Sequence, residues 1–122
     1  MIAVLVALAG GLGAVTRFVV DAEVGRRTEG GPLPLGTIVI NISGSLLLGL
    51  ITGWWVFHTG DPGIKQLLGT GFMGGYTTFS TACVEASRLA RAGRSWSVLV
   101  HAAGMLVVSV AVAALGYWLG SL

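Results

Sequence analysis

Four long apolar stretches, separated by short connections, make up nearly all of this 122-residue chain. They cover about residues 1–20, 35–57, 66–87 and 96–119. Each is about 20 residues or longer, enough for a helix rising about 1.5 Å per residue to cross about 30 Å of hydrocarbon. The chain is 54% hydrophobic and 10% charged, too little charge for the surface of a soluble domain. We therefore predict an all-α integral membrane protein, a single domain (residues 1–122) of four transmembrane helices.

Loop signals separate these stretches. Charged residues with glycine and proline fill Asp21–Pro34, and Asp61–Gly63 and Arg91–Arg94 also have turn composition, so we predict loops at all three. The first stretch has no basic n-region, and its apolar run is longer than that of a signal peptide. We therefore interpret it as a membrane span.

Basic residues are distributed unevenly between the two predicted faces of the membrane. The loops after spans one and three share one side with Arg17, whereas the opposite side carries only Lys65. Because Lys/Arg bias sets orientation, we predict that these two loops are cytoplasmic and that both termini lie outside. We expect Arg17 to extend towards the interface. The six basic residues on the predicted cytoplasmic side are Arg17, Arg26, Arg27, Arg88, Arg91 and Arg94.

Polar and small residues recur every fourth position in the second span, which places them on one helix face. We interpret the pair Gly49 and Gly53 as a helix-packing contact rather than a ligand path, by about three to one. Asn41 differs, because a primary amide within the membrane needs partners and its two N–H donors suit an anion. In the fourth span, His101 is interpreted either as a titrating or donating group or as a satisfied buried histidine.

The third span combines glycines with hydroxyl residues. Glycine costs about 1 kcal/mol relative to alanine in a helix, and hydroxyls compete for backbone hydrogen bonds. A continuous, glycine-rich packing helix is one interpretation. The run of hydroxyls from Thr77 to Thr81 favours the other, a broken helix whose inward carbonyl oxygens could hold a cation.

These motifs together resemble the Fluc (CrcB) family of bacterial fluoride channels, over essentially the whole chain. The resemblance implies an antiparallel (inverted) dimer with two fluoride pathways and a structural sodium ion at its centre. Backbone carbonyls of the break, at Gly74 and Thr77, would hold that ion. The matching segments are Gly11–Arg17, Gly36-Thr37 with Asn41 and Gly44-Ser45, Gly71–Thr81, and Glu85.

Under this resemblance the chain would export fluoride passively from the cytoplasm across the bacterial cell membrane and so reduce fluoride toxicity. Fluoride is small and strongly hydrated, so its pathway must replace water with good donors, and donor spacing and pore width would select the ion. Phe79 would offer the positive edge of its ring, and Glu85 would have a vestibule or hydrogen-bonding role. The expected polar pathway residues are Asn41, Thr37, Thr78, Ser80, Ser109 and His101.

Three positions depart from the family pattern. Ala82 stands where a second phenylalanine is common, His101 stands for a tyrosine and Met105 for a serine, whereas Ser109 matches. A homodimer with an altered pathway is one interpretation. Because one sequence must insert both ways to form an inverted homodimer, the charge bias favours a heterodimer with a second Fluc-like subunit of opposite orientation.

Two rival functions stay open, a small proton-coupled multidrug exporter and a non-conducting assembly subunit. The exporter needs a membrane-embedded acid, whereas the first span has none and Glu85 comes late in the third. We expect no enzyme, because His58 and His101 lie on different elements and no nucleophile motif is present. The single Cys83 excludes an intrachain disulfide, and a formal charge of +2 is too small to suggest nucleic-acid binding.

Overall fold

The computed structural model describes residues 1–28, 31 and 34–122, and every regular element within these ranges is helical. Three helices, α1, α2 and α5, are long and apolar enough to cross a membrane by length and composition. The predicted all-α architecture is confirmed. A fourth crossing, by the shorter helices α3 and α4, stays a prediction. The elements are α1 (Ile2–Arg27), α2 (Leu35–Phe57), α3 (62–76), α4 (Ser80–Arg91) and α5 (Ser95–Gly120).

Helix α1 continues through Arg27, so the prediction of a loop from Asp21 onward is wrong for residues 21–27. Glu23 pairs with Arg26 three residues on and with Arg27 four residues on, the latter at 2.7 Å. Such pairs stabilise a helix by about 0.2–0.5 kcal/mol each. Within the same predicted loop, residues 29, 30, 32 and 33 lie outside the described residues.

The two other predicted loops have different outcomes. At Asp61–Gly63 the prediction is wrong beyond the first residue, because Pro62 opens α3 and the Asp61 side chain accepts a hydrogen bond from the Gly63 N–H at 2.6 Å. The loop after Arg91 is confirmed. There Gly93 adopts a φ of 73°, and the Arg94 N–H reaches back to the Leu89 carbonyl at 3.0 Å, closing the end of α4.

Helices α2 and α5 pack closely through glycines on both sides. A Cβ at Gly49 or Gly53 would overlap the carbonyl oxygen of Ala113 or Tyr117, and a Cβ at Gly116 would overlap a carbonyl of α2 in return. The prediction that Gly49 and Gly53 serve helix packing is therefore confirmed.

Helices α1 and α3 approach each other in a similar way, with Gly13 against the carbonyl of Phe72. Ile40, Met73 and Tyr76 form a small buried cluster where α2 meets α3. Most large apolar side chains instead point outward, such as Phe18, which is 75% exposed. This outward apolar surface is what a bilayer or an apolar partner would cover.

Candidate functional site

Helical geometry stops after Tyr76 and resumes at Ser80, in the middle of the hydroxyl run. Thr77 is extended, with φ −75° and ψ 156°. Its N–H and its hydroxyl both donate to the Met73 carbonyl, each at 2.9 Å. The Met73 carbonyl is therefore shared by the Thr77 hydroxyl and the Thr77 N–H. Threonine hydroxyls commonly compete with the backbone for such acceptors.

Asn41 of α2 holds the interrupted segment from the side. Its Oδ1 accepts from the Thr78 N–H and its Nδ2 donates to the Thr78 carbonyl, both at 2.9 Å. Thr78 and Asn41 are both buried. One side chain therefore satisfies both backbone polar groups that the interruption leaves without helical partners at Thr78.

Two backbone N–H groups at the interruption donate to side chains instead of to the helical backbone. In a continuous helix the Thr78 N–H would bond the Gly74 carbonyl, and the Thr81 N–H would bond the Thr77 carbonyl. Here the Thr78 N–H goes to Asn41 and the Thr81 N–H goes to the Thr78 hydroxyl at 3.2 Å. Gly74 and Thr77 therefore lose their helical donors, which leaves both carbonyl oxygens able to serve as hard cation ligands.

The Thr78 hydroxyl is the centre of a small polar cluster. It accepts a hydrogen bond from the Thr81 N–H in the first turn of α4, and it lies 3.2 Å from the hydroxyls of both Ser80 and Thr81. Sequence reasoning did not single out Thr81. Its position three residues after Thr78, within reach of a local hydrogen bond between side chain and backbone, is the signal that could have identified it.

A cavity of about 410 Å³ opens beside the interruption. Its polar groups come from α2, from the interruption and from α5. His101 is only 1% exposed, and both its ring nitrogens and the Ser109 hydroxyl have no hydrogen-bond partner among the described residues. The walls include Asn41, Thr78, Phe79, His101, Met105 and Ser109, with Ala82 and Cys83 beside them.

The α5 wall of this cavity presents His101, Met105 and Ser109, each four residues apart and so on one helix face. The turn Val100–Gly104, which contains His101, is π-helical, a local widening frequent at functional sites. The Met105 Sδ lies 3.5 Å from Asn41 Nδ2. Met105 entered the sequence analysis only as a departure from a family pattern, and its spacing midway between His101 and Ser109 was the available signal.

A second cavity of about 180 Å³ lies between α1, α2 and the interruption. Arg17, Asp21 and Thr37 line it together with Thr78 and Thr81. Thr78 therefore belongs to the walls of both cavities.

Several predicted residues lie away from the two cavities. Ser80 is exposed and joins the site only through its bond to the Thr78 hydroxyl. Gly74 is exposed, and a Cβ there would meet nothing within 4 Å. Glu85 accepts from Arg88 at 3.2 Å and contributes to neither set of walls.

The chemistry of the larger cavity follows from its polar groups. An amide, hydroxyls and an imidazole can all donate, and no carboxylate is among the wall residues that the structure describes. Such a set can donate hydrogen bonds to a small accepting guest, either water or an anion.

Comparison with known proteins identifies the family. Residues 4–120 match the family described as "CrcB-like protein, Camphor Resistance (CrcB)". The chain belongs to the CrcB family. The predicted resemblance is therefore confirmed.

This CrcB chain is 53% identical over 118 residues to "Fluoride-specific ion channel FluC 2" of Cutibacterium acnes, covering 95% of the chain and 94% of the relative. It is 46% identical over 122 residues to "Fluoride-specific ion channel FluC 1" of Leifsonia xyli subsp. xyli, covering 100% and 88%. A third relative, "Fluoride-specific ion channel FluC 1" of Symbiobacterium thermophilum, is 42% identical over 118 residues, covering 96% and 92%. These names describe ion channels, not enzymes.

Proposed function

We propose that this CrcB chain is a subunit of a fluoride-selective channel through which fluoride leaves the cytoplasm passively, reducing fluoride toxicity. One observation carries the proposal most directly. Residues with hydrogen-bonding side chains from α2, the interruption and α5, Asn41, Thr78 and His101 among them, line one cavity with no carboxylate among its described walls. The channel names of relatives that match nearly the whole chain support the same ion.

The donors suit fluoride for a physical reason. Removing a strongly hydrated ion from water is costly unless the protein replaces the lost hydrogen bonds. Buried, unpartnered donors at His101 and Ser109 can supply them without first giving up a bond within the chain. A larger halide meets the same donors at poorer geometry, so pore width and donor spacing distinguish fluoride from larger halides.

The proposed pathway runs from the smaller cavity to the larger one. Arg17 attracts anions into the smaller cavity, where the Thr37 hydroxyl also lies and where the Asp21 carboxylate offsets part of the positive charge. Thr78, shared by both sets of walls, passes the ion on, with the Ser80 hydroxyl behind it. Phe79 then presents its ring edge. Glu85, paired with Arg88, shapes the cytoplasmic approach.

A sodium ion held by the Gly74 and Thr77 carbonyls is part of the proposal, with a structural rather than a transported role. The diverted N–H groups of Thr78 and Thr81 support it, because they leave those two oxygens free of their helical donors. One chain would offer two oxygens, fewer than a small hard cation takes, and a second inverted subunit would double the number.

The proposed partner is that second subunit, in an antiparallel dimer. The open space at Gly74 and the 81% exposure of Phe79 support a partner here, since the described residues cover neither. We favour a heterodimer because of the six-to-one bias of basic residues. The FluC 1 and FluC 2 names of the relatives are compatible with paired subunits. The same bias gives cytoplasmic loops after spans one and three, with both termini outside and α3 and α4 together forming the third span.

Fluoride efflux from lipid vesicles tests the proposal. The purified chain is reconstituted alone and with a candidate second subunit, and fluoride and chloride release are compared. We expect rapid fluoride release and little chloride release, faster with the partner, and unchanged for a T52A control whose hydroxyl only bonds the Leu48 carbonyl. Drug-driven proton movement without fluoride release would instead support an exporter. Absence of any flux with every partner would support an assembly subunit.

A further inference from the structure

Met105 occupies the one donor position on Asn41 that the interruption does not use. A primary amide has two N–H donors. One donates to the Thr78 carbonyl at 2.9 Å, and the other meets the Met105 Sδ at 3.5 Å. A thioether is a weak acceptor, so the second contact is much the weaker of the two.

Unsatisfied polar groups flank Met105 on the same helix face. His101 lies four residues before it and Ser109 four residues after it, and neither side chain has a hydrogen-bond partner in the described part of the chain. Buried polar atoms without partners are costly, so this face is prepared for a guest. A guest moving along it must pass the sulfur.

We propose that Met105 is a positioning residue that controls how readily an anion uses the second Asn41 N–H, because its thioether holds that N–H until the anion displaces it. This inference rests on the proposed function and deepens it. Methionine is unbranched, with three rotatable bonds, so its sulfur can move aside at low cost. The cost of breaking the N–H···S contact is the same for every anion, and fluoride, a small and strong acceptor, recovers it readily. Chloride is a weaker acceptor and gains less from displacing the sulfur.

Two substitutions separate acceptor strength from side-chain volume. Gln in M105Q has a similar length but places a strong amide acceptor near Asn41, whereas Leu in M105L has a similar volume and no acceptor. A net hydrogen bond of ordinary strength corresponds to a change of about fivefold. We expect M105Q to slow fluoride efflux by about that factor, and M105L, which frees the Asn41 N–H, to give efflux at least as fast as the unmodified chain with an unchanged preference for fluoride over chloride. Equal fluxes and selectivities for Met, Leu and Gln would overturn the inference.

Methyl NMR provides a readout that does not depend on conduction. The full chain has three methionines, and Met73 lies in the buried cluster with Ile40 and Tyr76, so it serves as an internal reference. With ¹³C-methyl methionine, fluoride is expected to shift the Met105 signal but not that of Met73, and chloride to leave both unchanged.

The two experiments distinguish the two proposals. Fluoride efflux with an unresponsive Met105 methyl would overturn this inference alone. A Met105 response to fluoride in a protein that never conducts would overturn the channel proposal and support the thioether contact. The absence of both fluoride efflux and a Met105 response would overturn both proposals.

Discussion

Asn41 and Thr78 exchange two hydrogen bonds of 2.9 Å although they lie 37 residues apart in the chain. The Asn41 side-chain amide thus makes the two hydrogen bonds that a continuous helix would otherwise provide for the Thr78 backbone. Because the same amide faces the larger cavity, the stability of the interruption and the chemistry of the pathway depend on one side chain.

Removing this amide should affect both properties. In N41A, the Thr78 N–H and carbonyl are left buried without partners, which costs about 1–3 kcal/mol for each group. We expect a lower thermal midpoint in detergent and fluoride efflux reduced at least about tenfold, since each 1.4 kcal/mol is a factor of ten. N41D is the informative comparison, because it keeps the acceptor for Thr78 but replaces the donor with a charge that repels anions. Normal efflux in N41D would contradict a donor role for Asn41.

The Thr78 hydroxyl can be tested separately from the backbone. T78V retains the shape but removes the hydrogen bond from the Thr81 N–H and the contacts to the Ser80 and Thr81 hydroxyls, and loss of an ordinary hydrogen bond costs about 1 kcal/mol. We expect slower fluoride efflux in T78V and recovery in T78S, which restores the hydroxyl. Equal efflux from T78V and the unmodified chain would show that the hydroxyl is structural only.

The contact between α2 and α5 should be intolerant of a single methyl group. In G116A the new Cβ would overlap the Leu46 carbonyl, and overpacking of this kind costs about 1–3 kcal/mol. G25A is the matched control, because a Cβ at Gly25 meets nothing within 4 Å and the change should be neutral or slightly stabilising. Thermal unfolding followed by circular dichroism measures both. Equal midpoints would mean that the helices can separate at no cost.

Gly74 should matter for assembly rather than for the fold of one chain. G74L projects into space that this chain leaves open, so we expect normal helicity but weaker subunit association and slower efflux. Cross-linking and size-exclusion chromatography in detergent report association. Replacing sodium with a large organic cation should weaken subunit association in the unmodified protein, as G74L does. Association that is indifferent to both changes would contradict a cation-bridged interface.

The three long helices could be predicted from the sequence because their apolar composition alone indicates them. The apolar runs predict α1, α2 and α5, since the cost of burying polar groups in hydrocarbon is a local property of the chain. The close packing of Gly49 against α5 could also be predicted, from the four-residue spacing of small residues in α2. The end of α1 could not be placed, because the Glu23 pairs outweigh a loop-like composition.

The site was predicted less completely, for a physical reason. Residue types singled out Asn41, Thr78, His101 and Ser109, which the structure places around one cavity, but they could not show which donors the chain itself consumes. That depends on contacts between distant segments, such as the Asn41 bonds to Thr78 and the sulfur of Met105. Local patterns carry no information about such pairings.

The position of Thr78 between the two cavities has a kinetic consequence. If passage from one cavity to the next depends on the Thr78 side chain, it requires that hydroxyl to leave its contacts with Ser80 and Thr81, a local rearrangement, and no rocking of helices. Throughput would then be limited by the departure of the ion from its donors, and it would be insensitive to agents that stiffen the lipid.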